Sequence, residues 1–540
     1  MQAKSEVAAA ELSRDEIAEN VRRLFSPAAD ARAWENEERL NAVIQNFLRT
    51  TKINTPVTLD ELAASFTSSV IPDGPGEVGE YLDYLVERVV AHSTHTSSPR
   101  FIGHMTSALP YFVRPLSKLL VAMNQNVVKV ETAKALSPYE RQAVAMLHRF
   151  VYDRPADFYE QHVQESESTL GMLVSGGTLA NISALWCARN SSLRAKGEFA
   201  GVAVDGLPAA LEAYGCRGAA VIGSSLMHYS IDKAADLLGT GTRGLIKVPT
   251  DGRGRIELSA LREAMSDCRE RRRHIIAIVG VAGTTESGAI DPLERMADIA
   301  QDAGVHFHVD AAWGGPLLFS RRHRRKLAGI ERADSVTIDG HKQLYLPMGT
   351  GVALMRDPHA TAAIEKHARY IVRAGSSDLG RRSLEGSRPG MALFLHAALN
   401  IIGARGYEML IDESLRKTLY MADAVRARPE FQLLQEPEMN ILSYRYVPGP
   451  WRERAERGRL SDEDNRAINR FNEELQKAQR QSGYSFVSRT TLDYTPQGGG
   501  LPVTVLRAVI ANPLTTEEDI DSVLDDQLMI AANLPAEVGG

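Results

Sequence analysis

Two kinds of apolar segment alternate through the middle third of the chain. Short runs with no polar alternation occupy residues 219–223, 275–280, 305–309, 335–338 and 351–355. Between several of them, residues 178–189, 229–238 and 292–303 carry apolar side chains at helical spacing. A strand that is apolar on both faces must be covered on both. Such strands alternating with helices predict a parallel sheet between helical layers, an α/β fold.

The flanks read differently. Residues 1–98 are mostly helical and polar, with loops at Pro56 and at 72–76, and a loop-rich stretch follows at 98–110. A helix is predicted over 138–152. Ser137 would be its N-cap, Pro138 its first residue and Glu140 the partner in a capping box, with Val144, Leu147 and Val151 on one face. Another helix is predicted at 391–402, and residues 451–464 form a charged, solvated stretch. The expected division is a helical N-terminal segment (1–140), a large α/β domain (141–405) and a small α+β domain (406–540).

Composition narrows the class. The chain has 540 residues, 44% hydrophobic and 24% charged, with a net charge of −6. That balance fits a soluble globular protein and gives no basic field for nucleic acid or anionic membrane. Three cysteines outside any CxxC spacing predict a reducing, cytoplasmic setting rather than a disulfide framework. The N-terminus lacks the apolar core of a signal peptide. The longest uncharged run, 168–188, is interrupted by Ser175-Gly-Gly-Thr178 and Asn181, and reads as a turn and a buried helix rather than a membrane span.

Ligands of open α/β sheets bind beyond the carboxyl ends of the strands. The polar residues there are His228, Gly283-Thr284-Thr285, Asp310, and Asp339 with His341 and Lys342; Ser175-Gly-Gly opens the helix at Thr178. Lys342 follows a buried strand, where partial desolvation favours a nucleophilic amine able to form a Schiff base. Asp310 lies 32 residues earlier at a strand end and needs a partner, either an ion pair or a helix cap, or a pyridinium nitrogen. Glycines before a helix N-terminus let backbone N–H groups approach a phosphate, with the Thr178 hydroxyl as a further donor. His228 is either structural or stacks on a cofactor ring.

These residues form a resemblance. Ser175-Gly-Gly-Thr-Leu-Ala-Asn181, His228-Tyr-Ser-Ile-Asp-Lys-Ala, Gly283-Thr-Thr-Glu-Ser-Gly-Ala-Ile-Asp291, His308-Val-Asp-Ala-Ala-Trp-Gly-Gly315 and Ser335-Val-Thr-Ile-Asp-Gly-His-Lys342 resemble the fold-type I, group II pyridoxal 5'-phosphate (PLP) amino-acid decarboxylases. The resemblance spans about residues 95–530. Within that group, Phe101-Ile-Gly-His-Met-Thr-Ser-Ala-Leu-Pro110 and Asn124-Gln-Asn-Val-Val-Lys-Val-Glu-Thr132 resemble the bacterial pyridoxal-dependent aspartate 1-decarboxylases. The resemblance implies that Lys342 carries the cofactor and that Asp310 keeps the ring nitrogen protonated. It implies that His228 stacks on the ring, that Gly177, Thr178 and His341 hold the phosphate, and that Thr285 contacts other ring substituents. Arg507 would meet the substrate α-carboxylate. His104, Lys129 and Lys134, from the segment that lines the pocket in relatives, would serve an acidic side chain. It also implies a homodimer with the active site at the subunit interface.

Two departures stand out. The family often reads Asn-Pro-His-Lys where this chain has Asp339-Gly-His-Lys342, and a carboxylate beside a phosphate is expected to point away. Several relatives carry a catalytic Tyr in a stretch corresponding to 371–388, which contains none here, leaving His228 or Lys342 to protonate the product carbon. The expected activity is α-decarboxylation of L-aspartate, with L-glutamate and cysteine sulfinate as alternatives. Another PLP enzyme (an aminotransferase or a carbon–carbon lyase), a catalytically dead scaffold and a nucleotide-binding protein are the competing classes; the last lacks a GxGxxG after an early strand.

Overall fold

The computed structural model describes residues 13–25, 31–368, 375–493 and 502–534. Eleven strands form two sheets. The larger contains β1 (Gly171–Val174), β2 (Gly218–Ser224), β3 (Leu245–Val248), β4 (Arg273–Val281), β5 (His306–Asp310), β6 (Ser335–Asp339) and β7 (Gly351–Met355), in the order β1-β7-β6-β5-β4-β2-β3. The smaller contains β8 (Phe431–Leu433), β9 (Ile441–Tyr446), β10 (Ser488–Leu492) and β11 (Val503–Val509), in the order β10-β11-β9-β8.

All five predicted strands are present, and all are almost wholly buried. β2 to β6 run parallel, as expected of strands fed by crossover helices. β7 does not: it runs antiparallel to both β6 and β1. Two reversals restore the direction, so β1 points the same way as β6 and its C-terminal end joins the same sheet edge. β1 and β3 have four residues each and were not predicted.

The helices Gly177–Ser192, Ser230–Leu237 and Leu293–Ala303 match the predicted segments. The helix predicted at 138–152 begins earlier, at Leu136, and has no capping box. Ser137 lies inside it and donates its hydroxyl to the Val127 carbonyl at 3.1 Å, while Glu140 is buried in an ion pair with Arg388. A buried arginine needs a carboxylate more than a helix end needs a second cap, so the tertiary contact prevails. The helices Arg14–Leu24, Leu59–Ala64 and Val78–Arg88 contain no buried residue.

The small sheet is tied to the large one through residues 101–103. Phe101 bridges Phe486, and the Val509 N–H donates to the Ile102 carbonyl at 2.5 Å. A Cβ on Gly103 would come within 2.3 Å of the Ser488 backbone nitrogen, so only glycine permits this crossing. The crossing carries His104 and the end of β11 to the open edge of the large sheet.

Candidate active site

A cavity of about 490 Å³ lies at that edge, a volume typical of small-molecule sites. Chain direction explains its contents. β1, β2, β4, β5 and β6 all end there, so the residues just after each converge: Ser175 to Thr178, His228, Gly283 and Thr285, Asp310, and Asp339, His341 and Lys342. β11 contributes Arg507, and the segment after Gly103 contributes His104. Lys134 aside, nine of the ten sequence-predicted site residues therefore line one cavity.

Lys129 is the exception. Its ammonium pairs with Glu131 and it does not line the cavity, so this protomer's fold does not bring it to the site as expected. The short helix Val130–Ala133 that follows turns the chain so that the neighbouring carboxylate is the nearest partner. Lys134 is exposed at the end of that helix and is also absent from the lining.

The Gly177 helix has no side-chain cap of its own. Asp339 fills that role: its Oδ2 accepts from the Gly177 N–H at 3.1 Å, and its Oδ1 lies 2.9 Å from His341 Nδ1. Lys342 Nζ is 3.9 Å from Asp339 Oδ2. The carboxylate thus points into the helix N-terminus, the reverse of the expectation that it points away. A buried carboxylate takes the strongest donors within reach, the orphan N–H groups of the helix. Nearby, Ser175 gives its backbone N–H and hydroxyl to Glu385, a partner the sequence did not suggest.

Asp310, nearly buried, accepts from the Ala312 N–H at 3.1 Å and from Asn181 Nδ2 at 2.8 Å. His228 Nδ1 accepts from the Ser230 N–H at 3.2 Å, with the Ser230 hydroxyl at 2.8 Å. Burial pushes its pKa below the ordinary value, partly opposed by Asp310. His104 is lowered as well, by desolvation and then by the positive charges of Arg507, Lys342 and His341. Arg507 is buried, and among the described residues its hydrogen bonds go to neutral acceptors: Thr285 O at 2.8 Å, Ser488 Oγ at 3.0 Å and Gly103 O at 3.2 Å.

These residues fit PLP. A glycine helix N-terminus suits a phosphate, and a Cβ on Gly177 would sit 2.8 Å from Asp339 Oδ2, which marks how tight that cradle is. An amine stands at Lys342, and a carboxylate held by two donors stands at Asp310. Sequence reasoning quoted Asn181 without giving it a role. Its signal was its position three residues after Thr178, on the helix face that looks into the cavity.

Comparison with known proteins agrees. Residues 71–447 match the pyridoxal-dependent decarboxylase conserved domain, and the chain belongs to that family. It is a PLP-dependent amino-acid decarboxylase with a fold-type I architecture. Aspartate 1-decarboxylase of Aliivibrio fischeri is 46% identical over 522 residues, 95% of each chain. Acidic amino acid decarboxylase GADL1 of Bos taurus is 27% identical over 83% of this chain and 81% of its own. The crystal structure of mouse CSAD superposes with a TM-score of 0.80 at 25% identity, covering 94% of this chain and all of that one.

Proposed function

We propose that this chain decarboxylates a small acidic L-amino acid at its α-carbon, converting L-aspartate to β-alanine and carbon dioxide. The observation that carries the α-decarboxylase reading is Arg507, a buried guanidinium lining the same cavity as Lys342 and Asp310, with neutral hydrogen-bond partners; the acidic side chain rests on the relatives. Such a cation is ready for a carboxylate brought by the substrate. The preference for aspartate comes from the Aliivibrio fischeri relative.

Bound PLP supplies the electron sink that accepts the pair released when the Cα–carboxylate bond breaks. The chain's own residues do the rest. Gly177, Thr178 and His341 hold the phosphate, with the helix N-terminus adding positive potential. Lys342 would present the amine that carries the cofactor. Asp310 keeps a proton on the ring nitrogen, and His228 covers a ring face. Thr285 contacts other ring substituents. Arg507 fixes the α-carboxylate, and orientation together with exclusion of water lowers the barrier. His104 stands beside the cations of the cavity and serves the second carboxylate, with Lys129 proposed to join it only if a partner subunit completes the pocket.

The assembly we propose is a cytoplasmic homodimer. The N-terminal segment leaves Phe25, Trp34 and Ile71 at 82%, 66% and 89% exposure, apolar side chains that a two-fold partner would cover. Among the described residues, no helix is long and apolar enough to cross a membrane. Residues 1–140 would then serve dimerisation, 141–405 cofactor binding and 406–540 substrate binding. Sedimentation should show a dimer; a fully active monomer overturns this.

The substrate is tested by carbon dioxide release over all standard amino acids and cysteine sulfinate. Aspartate should lead, with β-alanine as product. Glutamate is the nearest competitor, because one methylene is worth only about 1–3 kcal/mol of discrimination. Equal turnover of aromatic or basic amino acids overturns the acidic-substrate reading.

A further inference from the structure

Behind the cavity, a line of buried polar groups runs along β5 and ends on Asp310. His306 Nε2 is 2.7 Å from Ser335 Oγ, and Ser335 Oγ is 2.9 Å from His308 Nδ1. His308 Nε2 is 3.0 Å from Asn181 Oδ1, and Asn181 Nδ2 reaches Asp310 Oδ2 at 2.8 Å and Ser230 Oγ at 2.9 Å. Ser230 in turn meets His228 Nδ1. Ser335, His308, Asn181 and Ser230 are at most 1% exposed.

With His308 neutral, donor counting gives every contact in this network a consistent direction. The Asp310 carboxylate only accepts, so the Asn181 amide must turn its NH2 toward it. The two amide hydrogens then serve Asp310 and Ser230, and the amide oxygen faces His308. That oxygen needs a donor, so His308 carries its proton on Nε2 and accepts on Nδ1 from the Ser335 hydroxyl. Ser335 has given its only hydrogen, so His306 must donate to it. Ser230, having accepted from Asn181, donates its hydroxyl to His228 Nδ1. One tautomer of His308 therefore determines the orientation of a carboxylate and of an imidazole on two sides of the site. Burial supports this assignment, because it holds His308 well below its ordinary pKa and hence neutral.

We propose that His308, which does not line the cavity, is a positioning residue for the reaction: through Asn181 it fixes the Asp310 carboxylate and the His228 ring against the cofactor. The proposal rests on the PLP reading of the site. Without the His308 donor the Asn181 amide oxygen is left unpaired in a buried layer, and the amide loses one of the contacts that hold its hydrogens on Asp310 and Ser230.

The test uses full-length holoenzyme and compares His308→Gln with His308→Asn. A Gln amide places a donor near the position of Nε2, whereas an Asn amide reaches only as far as Nδ1. His308→Asn and Asn181→Asp should lower kcat by about 10- to 100-fold with a smaller change in KM. Both should also shift the pH dependence of the bound cofactor's absorbance band, and His308→Gln should restore both towards wild type. Unfolding of each apo-protein is followed by circular dichroism. If His308→Asn does not fold, the isosteric Asn181→Asp variant reads the same link from the other side. A wild-type spectrum and kcat in His308→Asn or Asn181→Asp overturns the proposal. So does a His308→Gln variant as impaired as His308→Asn, since a merely structural histidine would show no rescue by donor position. Failure of the wild-type protein to bind PLP would instead contradict the cofactor reading.

Discussion

The helices Arg14–Leu24 and Gly177–Ser192 begin in opposite ways. The first opens with its own capping box, in which Ser13 accepts from the Glu16 N–H while Glu16 receives the Ser13 N–H, and no residue of it is buried. The second opens at Gly176 with no cap from its own sequence, lies in the core, and borrows a carboxylate from Asp339 on another strand. Three other helices, beginning at Leu59, Asp462 and Glu517, also open with their own capping boxes, although the last two bury one face. A helix that caps itself has its N–H groups satisfied whatever happens around it. A helix capped only by a residue distant in the chain has donors that an incoming anion can claim, and the residues that we propose hold a phosphate stand there.

The largest separation between these regions should come from Asp310→Asn. It removes the charge that keeps the ring nitrogen protonated, and kcat should fall by about 10²–10³-fold, while phosphate and lysine contacts keep the cofactor bound. Near-normal turnover would contradict the role. Acid should act next, on the helix Leu136–Tyr152, which belongs to neither region. His148 is buried, and burial pushes its pKa down to about 4. The unfolded chain therefore binds a proton near pH 6.5 that the folded chain refuses. Stability is full above pH 6.5 and is lost as pH falls from there towards 4, by on the order of 3 kcal/mol for this group. Thermal melts of wild type and His148→Gln across pH 4–8 should show the steeper loss in wild type; parallel curves would break the assignment.

Smaller effects follow at the cradle. Gly177→Ala puts a Cβ 2.8 Å from Asp339 Oδ2 and 3.3 Å from Ala312 Cβ, and overpacking of about 1–3 kcal/mol should appear as weaker cofactor binding in an absorbance titration. Asp339→Asn should act in the other direction. It removes the charge that competes with a phosphate at the helix N-terminus, so the cofactor should bind tighter, while the apo-protein loses about 0.3–1 kcal/mol. Weaker cofactor binding in this variant would mean that the Asp339–His341 pair matters more than the competition. At the low end, Ser13→Ala should leave cofactor affinity unchanged, because its helix is exposed and far from the cavity in the chain's connectivity. A changed affinity would show that the self-capped helix is coupled to the site.

Much of this was legible before the fold. Strands buried on both faces announce themselves as unbroken apolar runs, and the residues after their C-terminal ends were the right place to look for chemistry. Direction was not legible: β7 is as apolar as β6, and periodicity is the same whichever way a strand runs. β1 escaped because its four residues merge with the apolar helix after it, and β3 because its four residues include the exposed Lys247. His308 sat inside an apolar run and read as part of a strand, although its ring joins a buried polar line through that layer. Lys129 lies outside the lining of this protomer's cavity and pairs with its sequence neighbour Glu131. Asp339 was read by its charge alone, whereas the open helix end decides where it points.

The central claim is that the edge where these strands end is built around a cofactor carried by Lys342. Holoenzyme reduced with borohydride and mapped by peptide mass spectrometry tests it most directly. The pyridoxyl group should be found on Lys342; a label on any other lysine, or none on a protein that has bound PLP, would contradict the account.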